Sequence, residues 1–254
     1  SCPSNTTGKR TPPTILKIRS TSGASWSKSS SVTSSDSNDA GPSRGLLARA
    51  FEAFDLLFAD HQTVGLAVSG GSDSSALLVL AFDWARERGR EIAATTVDHG
   101  LRPEAASEAQ AVAHLCNSLG VLHDTLTWKR PERPGLVSQA EARRARHALL
   151  ATWARDRGAS IIALGHTRDD RIETFLMRAR QGSGWHGLAG PLPLAPSPAW
   201  PEGDGVRLAR PLLAFGREEL RARLTVTSVE WIEDPSNSAD RFERVRVRAL
   251  IGGL

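Results

Sequence analysis

The chain has 254 residues, 40% of them hydrophobic and 24% charged, which is material for one sizeable α/β domain or two small ones. No window approaches 18 consecutive apolar residues, which excludes a membrane-spanning helix, and the two cysteines, Cys2 and Cys116, exclude a disulfide framework or a cysteine-ligated metal site within the chain. The formal net charge of +4 resides in residues 1–45, which hold six Lys or Arg against Asp36 and Asp39, whereas residues 46–254 hold 26 against 26, so the folded part has no net field with which to attract a polyanion.

Residues 1–45 contain 13 Ser and almost no apolar periodicity, so they read as a disordered leader that cannot bury enough surface to offset the entropy of ordering. A Ser-rich, basic, acid-poor leader also resembles an organelle transit peptide, and an upstream misread start explains it equally well. The scarcity of cysteine fits a reducing compartment, and the expected location is cytoplasmic.

From residue 46 the pattern alternates apolar runs with amphipathic stretches. Leu46–Phe58 spaces its apolar residues as a helix does, and Thr63–Val68 is a short buried-strand run. A helix over Ala76–Arg88 stops at Gly89, a second strand covers Ile92–Val97, and a helix over Pro103–Leu119 starts at proline and ends at Gly120. Val121–Leu126 reads as a third strand, Ser138–Arg157 as a long helix closed by Gly158, Ser160–Leu164 as a fourth strand, and Asp169–Arg180 as the helix after it. Strands alternating with helices imply an α/β fold with a Rossmann-like parallel sheet covered on both faces. In such sheets ligands sit beyond the carboxyl ends of the strands.

The first strand runs into Ser69-Gly70-Gly71-Ser72-Asp73-Ser74-Ser75, ahead of a helix. Paired glycines let backbone N–H groups reach an anion, the serines add hydroxyl donors, and the helix terminus adds partial positive charge. The Lys of a Walker A loop is missing, which disfavours a P-loop kinase or GTPase. Asp73 would be repelled by bound phosphates unless Mg²⁺ lay between, which makes it a metal-side candidate; the alternative is an acidic first-turn residue favoured by the helix dipole.

This loop resembles the pyrophosphatase loop of the N-type ATP pyrophosphatases. Those enzymes cleave ATP between its α and β phosphates and use AMP to activate a carbonyl oxygen. Four further segments narrow the resemblance: Asp98-His99-Gly100-Leu101-Arg102, the helical Arg143-Arg144-Ala145-Arg146-His147, His166-Thr167-Arg168-Asp169-Asp170-Arg171-Ile172-Glu173, and Gly182-Ser183-Gly184. Together with Arg210-Pro211-Leu212-Leu213 and Glu233-Asp234-Pro235-Ser236-Asn237, they resemble the tRNA(Ile)-lysidine synthase family from about Gly45 to the end.

The resemblance implies an α/β catalytic domain over 46–254, with about 200–254 as a tRNA-facing extension. It implies ATP and Mg²⁺ as co-substrate and cofactor, and L-lysine and tRNA(Ile) with a CAU anticodon as partners. Ser69, Gly70, Gly71, Ser72, Asp73 and Ser74 would hold the nucleotide, with Asp98 and His99 in the site wall. Asp170 and Glu173, three apart on a helix and therefore on one face, would take the lysine ammonium. Arg143 and Arg146, likewise three apart, would offset phosphate charge, His166 would act near the adenylate, and Gly182 and Gly184 would lie at the tRNA mouth.

Each motif has a plainer reading. Arg171 and Arg178 could simply neutralise Asp170 and Glu173, His166 could cap a helix, Arg144 points about 100° from Arg143 toward solvent, and Trp185 could pack on its own domain. Two departures stand out: the family's Arg-x-x-Arg is followed by Tyr, here His147, and its Arg-Asn-Arg is here Arg244-Val245-Arg246. Many relatives continue into further tRNA-gripping domains, so the chain reads as a short form or a catalytic fragment. The alternatives are a sulfur-inserting tRNA enzyme of the same superfamily, for which neither cysteine is well placed, and a nucleotide-binding module without chemistry.

Overall fold

The computed structural model describes residues 42–98, 105–128, 138–184 and 188–233, all within one compact unit, Ala40–Leu254. The leader, His99 to Arg102, Trp185 and the arginines at 241–248 lie outside the described residues.

Helix α1 (Pro42–Phe58) precedes strand β1 (Thr63–Ala67), and α2 (Ser72–Arg88), β2 (Glu91–Asp98), α3 (Ala105–Leu119), β3 (Leu122–Thr127), α4 (Gln139–Asp156), β4 (Ile161–Leu164) and α5 (Arg168–Arg180) follow. Two short strands, β5 (Leu194–Pro196) and β6 (Arg207–Ala209), and helix α6 (Arg217–Val226) complete it. The sheet order is β3-β2-β1-β4-β6-β5, parallel throughout except for the antiparallel β5–β6 pair.

The sequence expectation of a parallel sheet with covering helices is met through α5, and element ends move by a few residues. α1 begins at Pro42 rather than Leu46, and α2 at Ser72 rather than Ala76. The serine-rich half of the phosphate loop is therefore the first helical turn, as Gly71 supplies the extended backbone ahead of it. The antiparallel edge strand was not expected from sequence; three-residue strands carry no readable alternation.

One apolar cluster lies on the face covered by α1, α2, α3 and α6, with the Phe54, Phe58 and Trp84 rings packed tilted or edge-on at centroid distances of 5.5–5.7 Å. Trp84 stays hydrogen-bonded within it, donating Nε1–H to Asp55 at 2.8 Å. A second cluster lies under α4, where Trp153 packs so closely on β1 that a Cβ on Gly65 would stand 2.9 Å from its ring. Trp153 Nε1 donates to Asp124 on β3 at 2.7 Å, which fixes α4 across three strands. With both faces covered, ligands can reach only the ends of the strands.

Candidate functional site

The parallel register brings the bend after β1, Asp98 at the end of β2 and His166 after β4 to the same, carboxyl end of the sheet. At Gly70 the chain takes φ +88°, and an added Cβ would meet Ile232 Cδ1 at 2.6 Å, so both backbone and space demand glycine. Gly70 carbonyl accepts from Ile232 N at 2.9 Å and from Ser75 Oγ at 3.3 Å. Ser74 Oγ donates to Gly71 O at 3.0 Å and accepts from Ser69 N at 3.1 Å. The buried Ser74 and Ser75 thus brace the bend from inside. Gly71 offers no side chain to cap α2, leaving its first-turn amides for an anion.

Gly165 sets how close β4 comes to this turn: a Cβ there would lie 2.9–3.0 Å from Ser74 Cα, Ser74 N and Asp73 O. Ser72 Oγ faces Arg221 on α6, whose Nε is 3.4 Å away, an arginine the sequence reading did not single out.

Arg217, the first residue of α6, gathers the carboxylates. Its Nε donates to Asp73 Oδ2 at 3.0 Å, Nη2 to Asp170 Oδ1 at 3.4 Å, and Nη1 to Glu173 Oε1 at 3.4 Å. Glu173 is 1% exposed, and Arg217 side chain 16%. Asp73, Asp170 and Glu173 therefore do converge, on Arg217, a cation the sequence reading did not single out. Burial pushes the Asp73 carboxyl above its usual range even though Arg217 opposes this, while the same carboxylates raise the Arg217 guanidinium.

Asp170 has a second task. Its Oδ2 accepts from Thr167 N at 2.8 Å and Thr167 Oγ1 at 3.2 Å, closing a capping box at the start of α5. Asp169 Oδ2 accepts from Arg217 N at 2.9 Å, so the two consecutive aspartates tie the starts of α5 and α6 together. Arg217 was legible only as one basic residue of an unremarked segment, because its partners are more than 40 positions away in sequence.

On the other side of His166 the charge reverses. Arg143 and Arg146 on α4 lie near His147, His166 and Arg210, and burial with these cations holds the imidazoles of His147 and His166 down at about 4. Arg144 is set apart as expected, but its Nη2 donates to Trp200 O at 3.0 Å. Gly182, at φ +68°, ends α5 with its N–H on Ala179 O; Gly184 is exposed just beyond. Cys116 is fully buried in α3 and burial pushes its thiol up to about 12, which removes it as a thiolate nucleophile. No helix among the described residues is long and apolar enough to cross a membrane.

Comparison with solved structures agrees with this layout. The fold is similar to the U34-tRNA thiolase NcsA from Methanococcus maripaludis with its [4Fe-4S] cluster, with TM-score 0.69, 16% identity, and coverage of 84% of this chain and 73% of that one. It is also similar to an NMN synthetase from Francisella tularensis, with TM-score 0.54, 12% identity and coverage of 85% and 87%. In sequence, the chain is 55% identical over 188 residues to a tRNA(Ile)-lysidine synthase of Hyphomonas neptunium, covering 74% of this chain and 50% of that protein. It is 48% identical over 203 residues to a tRNA(Ile)-lysidine synthase of Rhodopseudomonas palustris, covering 78% and 57%. The chain thus spans about half the length of the curated relatives it matches. A family model for the PP-loop domain matches residues 46–253, the same stretch that carries the glycine bend, the carboxylate cluster and the strands that align them, and the chain belongs to that ATP-binding family.

Proposed function

We propose that the chain carries out ATP-dependent joining of L-lysine to the wobble cytidine of tRNA(Ile) with a CAU anticodon, giving lysidine, AMP and diphosphate. The observation that carries this reading is the meeting of Asp73, Asp170 and Glu173 around Arg217 at the mouth of the glycine bend. The name shared by the similar proteins of Hyphomonas and Rhodopseudomonas supports it.

The first-turn amides of α2 and the Gly70-Gly71 backbone would hold the triphosphate, with Arg221 and Ser72 at its outer end. The carbonyl oxygen of the cytosine attacks the α-phosphorus, the bond to the bridging oxygen breaks, and diphosphate leaves with the electron pair. Arg143 and Arg146 offset the charge that develops. The lysine ε-amine then forms a C–N bond at the activated carbon, AMP departs with the oxygen, and the amine loses its proton. Asp170 and Glu173 hold the incoming ammonium near that carbon, His166 stands beside Asp170 to receive the proton, and Asp98 and His99 contribute to the wall. Gly182 and Gly184 flank the RNA entrance.

Mg²⁺ fits the donors present: Asp73 is a hard oxygen ligand beside the phosphate cradle, and Mg²⁺ is commonly held by one or two carboxylates plus substrate phosphates. When bound it supplies charge neutralisation between Asp73 and the phosphates. Cytoplasmic location accords with this chemistry.

The test is mass analysis of tRNA(Ile) after incubation with ATP, Mg²⁺ and lysine. A gain equal to lysine minus water is expected; an unchanged mass on a competent tRNA overturns the reading. A sulfur-inserting enzyme would be indifferent to lysine, and a module without chemistry would show no ATP–diphosphate exchange.

A further inference from the structure

Helix α5 is divided lengthwise. Asp169, Asp170 and Glu173 all engage Arg217, through its backbone N–H or its guanidinium, so the helix has no exposed carboxylate. Its opposite face carries Ile172, Phe175 and Leu176, which are 40%, 47% and 38% exposed, and exposed Ala179 continues the stripe. That spacing, i, i+3, i+4 and i+7, is the one by which a helix ordinarily buries a face. The other exposed large apolar side chains among the described residues, Leu56, Leu122, Leu192, Trp200 and Val226, stand singly on separate segments. Single exposed apolar residues are normal, whereas a grouped stripe marks a contact surface. Exposed Arg171 and half-buried Arg178 border one edge of it, seven positions and therefore about 10 Å apart, and exposed Arg180 lies beyond the other edge. Arg168 serves elsewhere, with its guanidinium over Gly216 at the start of α6.

Whatever covers the stripe must be anionic at its edges and able to meet an aromatic ring at its centre. A second copy of the chain is ill matched, because it would bring a basic face to a basic face. Three side chains less than half exposed also offer only roughly 250 Å², against about 800 Å² per partner in a stable interface. A single-stranded nucleic acid meets both requirements: its phosphates pair with guanidiniums, and any of its bases can stack on an aromatic ring. The position fits as well. The same helix carries Asp170 and Glu173 into the carboxylate cluster and ends at Gly182, so a strand with one base at the site can lay its neighbours along the roughly 20 Å of α5.

We propose that the outer face of α5 is an RNA-docking surface on which Phe175 stacks against an unpaired base next to the reacting one and Arg171, with Arg178 on the same edge, pairs with the phosphates of the strand. Ile172 and Leu176 pack against the apolar side of the same nucleotides. The proposal rests on the ligation reading for the choice of RNA, a CAU anticodon loop.

The experiment measures binding of a fluorescent CAU anticodon stem-loop by anisotropy over a range of salt, with affinity for ATP and Mg²⁺ as the check on the site, in the full chain and in Phe175→Leu, Phe175→Tyr and Arg171→Gln. Phe175→Leu keeps an apolar side chain but loses the ring, and should weaken stem-loop binding roughly five- to a hundredfold. Phe175→Tyr keeps the ring and should bind as the wild type does. Arg171→Gln should weaken binding with a log–log salt slope shallower by about 0.7. ATP affinity should hold in all three, since these side chains lie on the face turned away from the carboxylate cluster. Stem-loop binding unaltered in Phe175→Leu and Arg171→Gln overturns the proposal, and so does a loss that Phe175→Tyr shares. Self-association in ultracentrifugation that Phe175→Leu weakens while RNA binding stands assigns the stripe to a protein contact and likewise overturns it. Should Phe175→Leu lose ATP binding as well, the salt slope of Arg171→Gln decides. RNA docking that depends on Phe175 in a chain that adds no lysine leaves the surface standing and removes the ligation reading; lysine transfer with RNA affinity indifferent to α5 does the reverse.

Discussion

Arg217 shows why a buried cation among carboxylates is more than a structural pin. Removing it leaves Asp73, Asp170 and Glu173 facing one another with Glu173 sealed from solvent. Breaking a buried pair from one side costs about 3–5 kcal/mol. Arg217→Ala should therefore lower unfolding stability by about that amount in denaturant titrations at neutral pH. Arg217→Lys, which keeps charge but loses the fork, should fall between Ala and wild type; an Ala variant as stable as wild type would show that solvent already screens the cluster. The residues that frame this cluster were legible in the chain: Asp73 by its place after twin glycines, Asp170 and Glu173 by their helical spacing. Arg217 was not, because pairing across 144 positions leaves no local signal. Arg210 was quoted with its Pro-Leu-Leu neighbours, but its burial depends on β6, which sequence alone did not reveal.

At the scale of elements, the site is an encounter of helix starts. The first turns of α2, α5 and α6 meet beyond β1 and β4, with Thr167 and Asp170 capping α5, Glu219 accepting from Gly216 N at 2.6 Å, and Asp169 receiving Arg217 N. Each start contributes partial positive charge, which stabilises the carboxylates there. The approach of β4 to α2 is set by Gly165, where the nearest atoms to an added Cβ are backbone and cannot rotate away. Gly165→Ala must push the α2 turn outward at a cost of about 1–3 kcal/mol. ATP affinity should drop along with the melting temperature, since the amides proposed to cradle phosphate move with that turn. A variant that melts early but binds ATP as tightly as wild type would place the phosphates elsewhere. Long helices and fully buried strands such as Ile161–Leu164 were readable because their periodicity or apolar run is strong. The three-residue β5 and β6 were not, since their pairing is decided by tertiary contact rather than pattern.

For the whole molecule, charge is partitioned rather than accumulated. Residues 46–254 are formally neutral, so contact with a polyanion must come from local clusters, while all four net positive charges belong to residues 1–45. Under the proposed function these two sources of RNA affinity respond differently to salt and can be separated. Each cation engaged with phosphate releases about 0.7–0.9 counterion, so a chain starting at Leu46 should bind RNA with a log–log salt slope shallower by roughly three, if the leader's net charge is engaged. ATP binding should be unchanged, because the bend and the carboxylate cluster draw every described contact from residues beyond 45. Should truncation leave the salt slope as it was, the leader does not touch RNA, and the arginines on α4 and α5 must supply the affinity. Should ATP binding fall as well, the leader takes part in the nucleotide site, and the separation of roles by charge would be wrong.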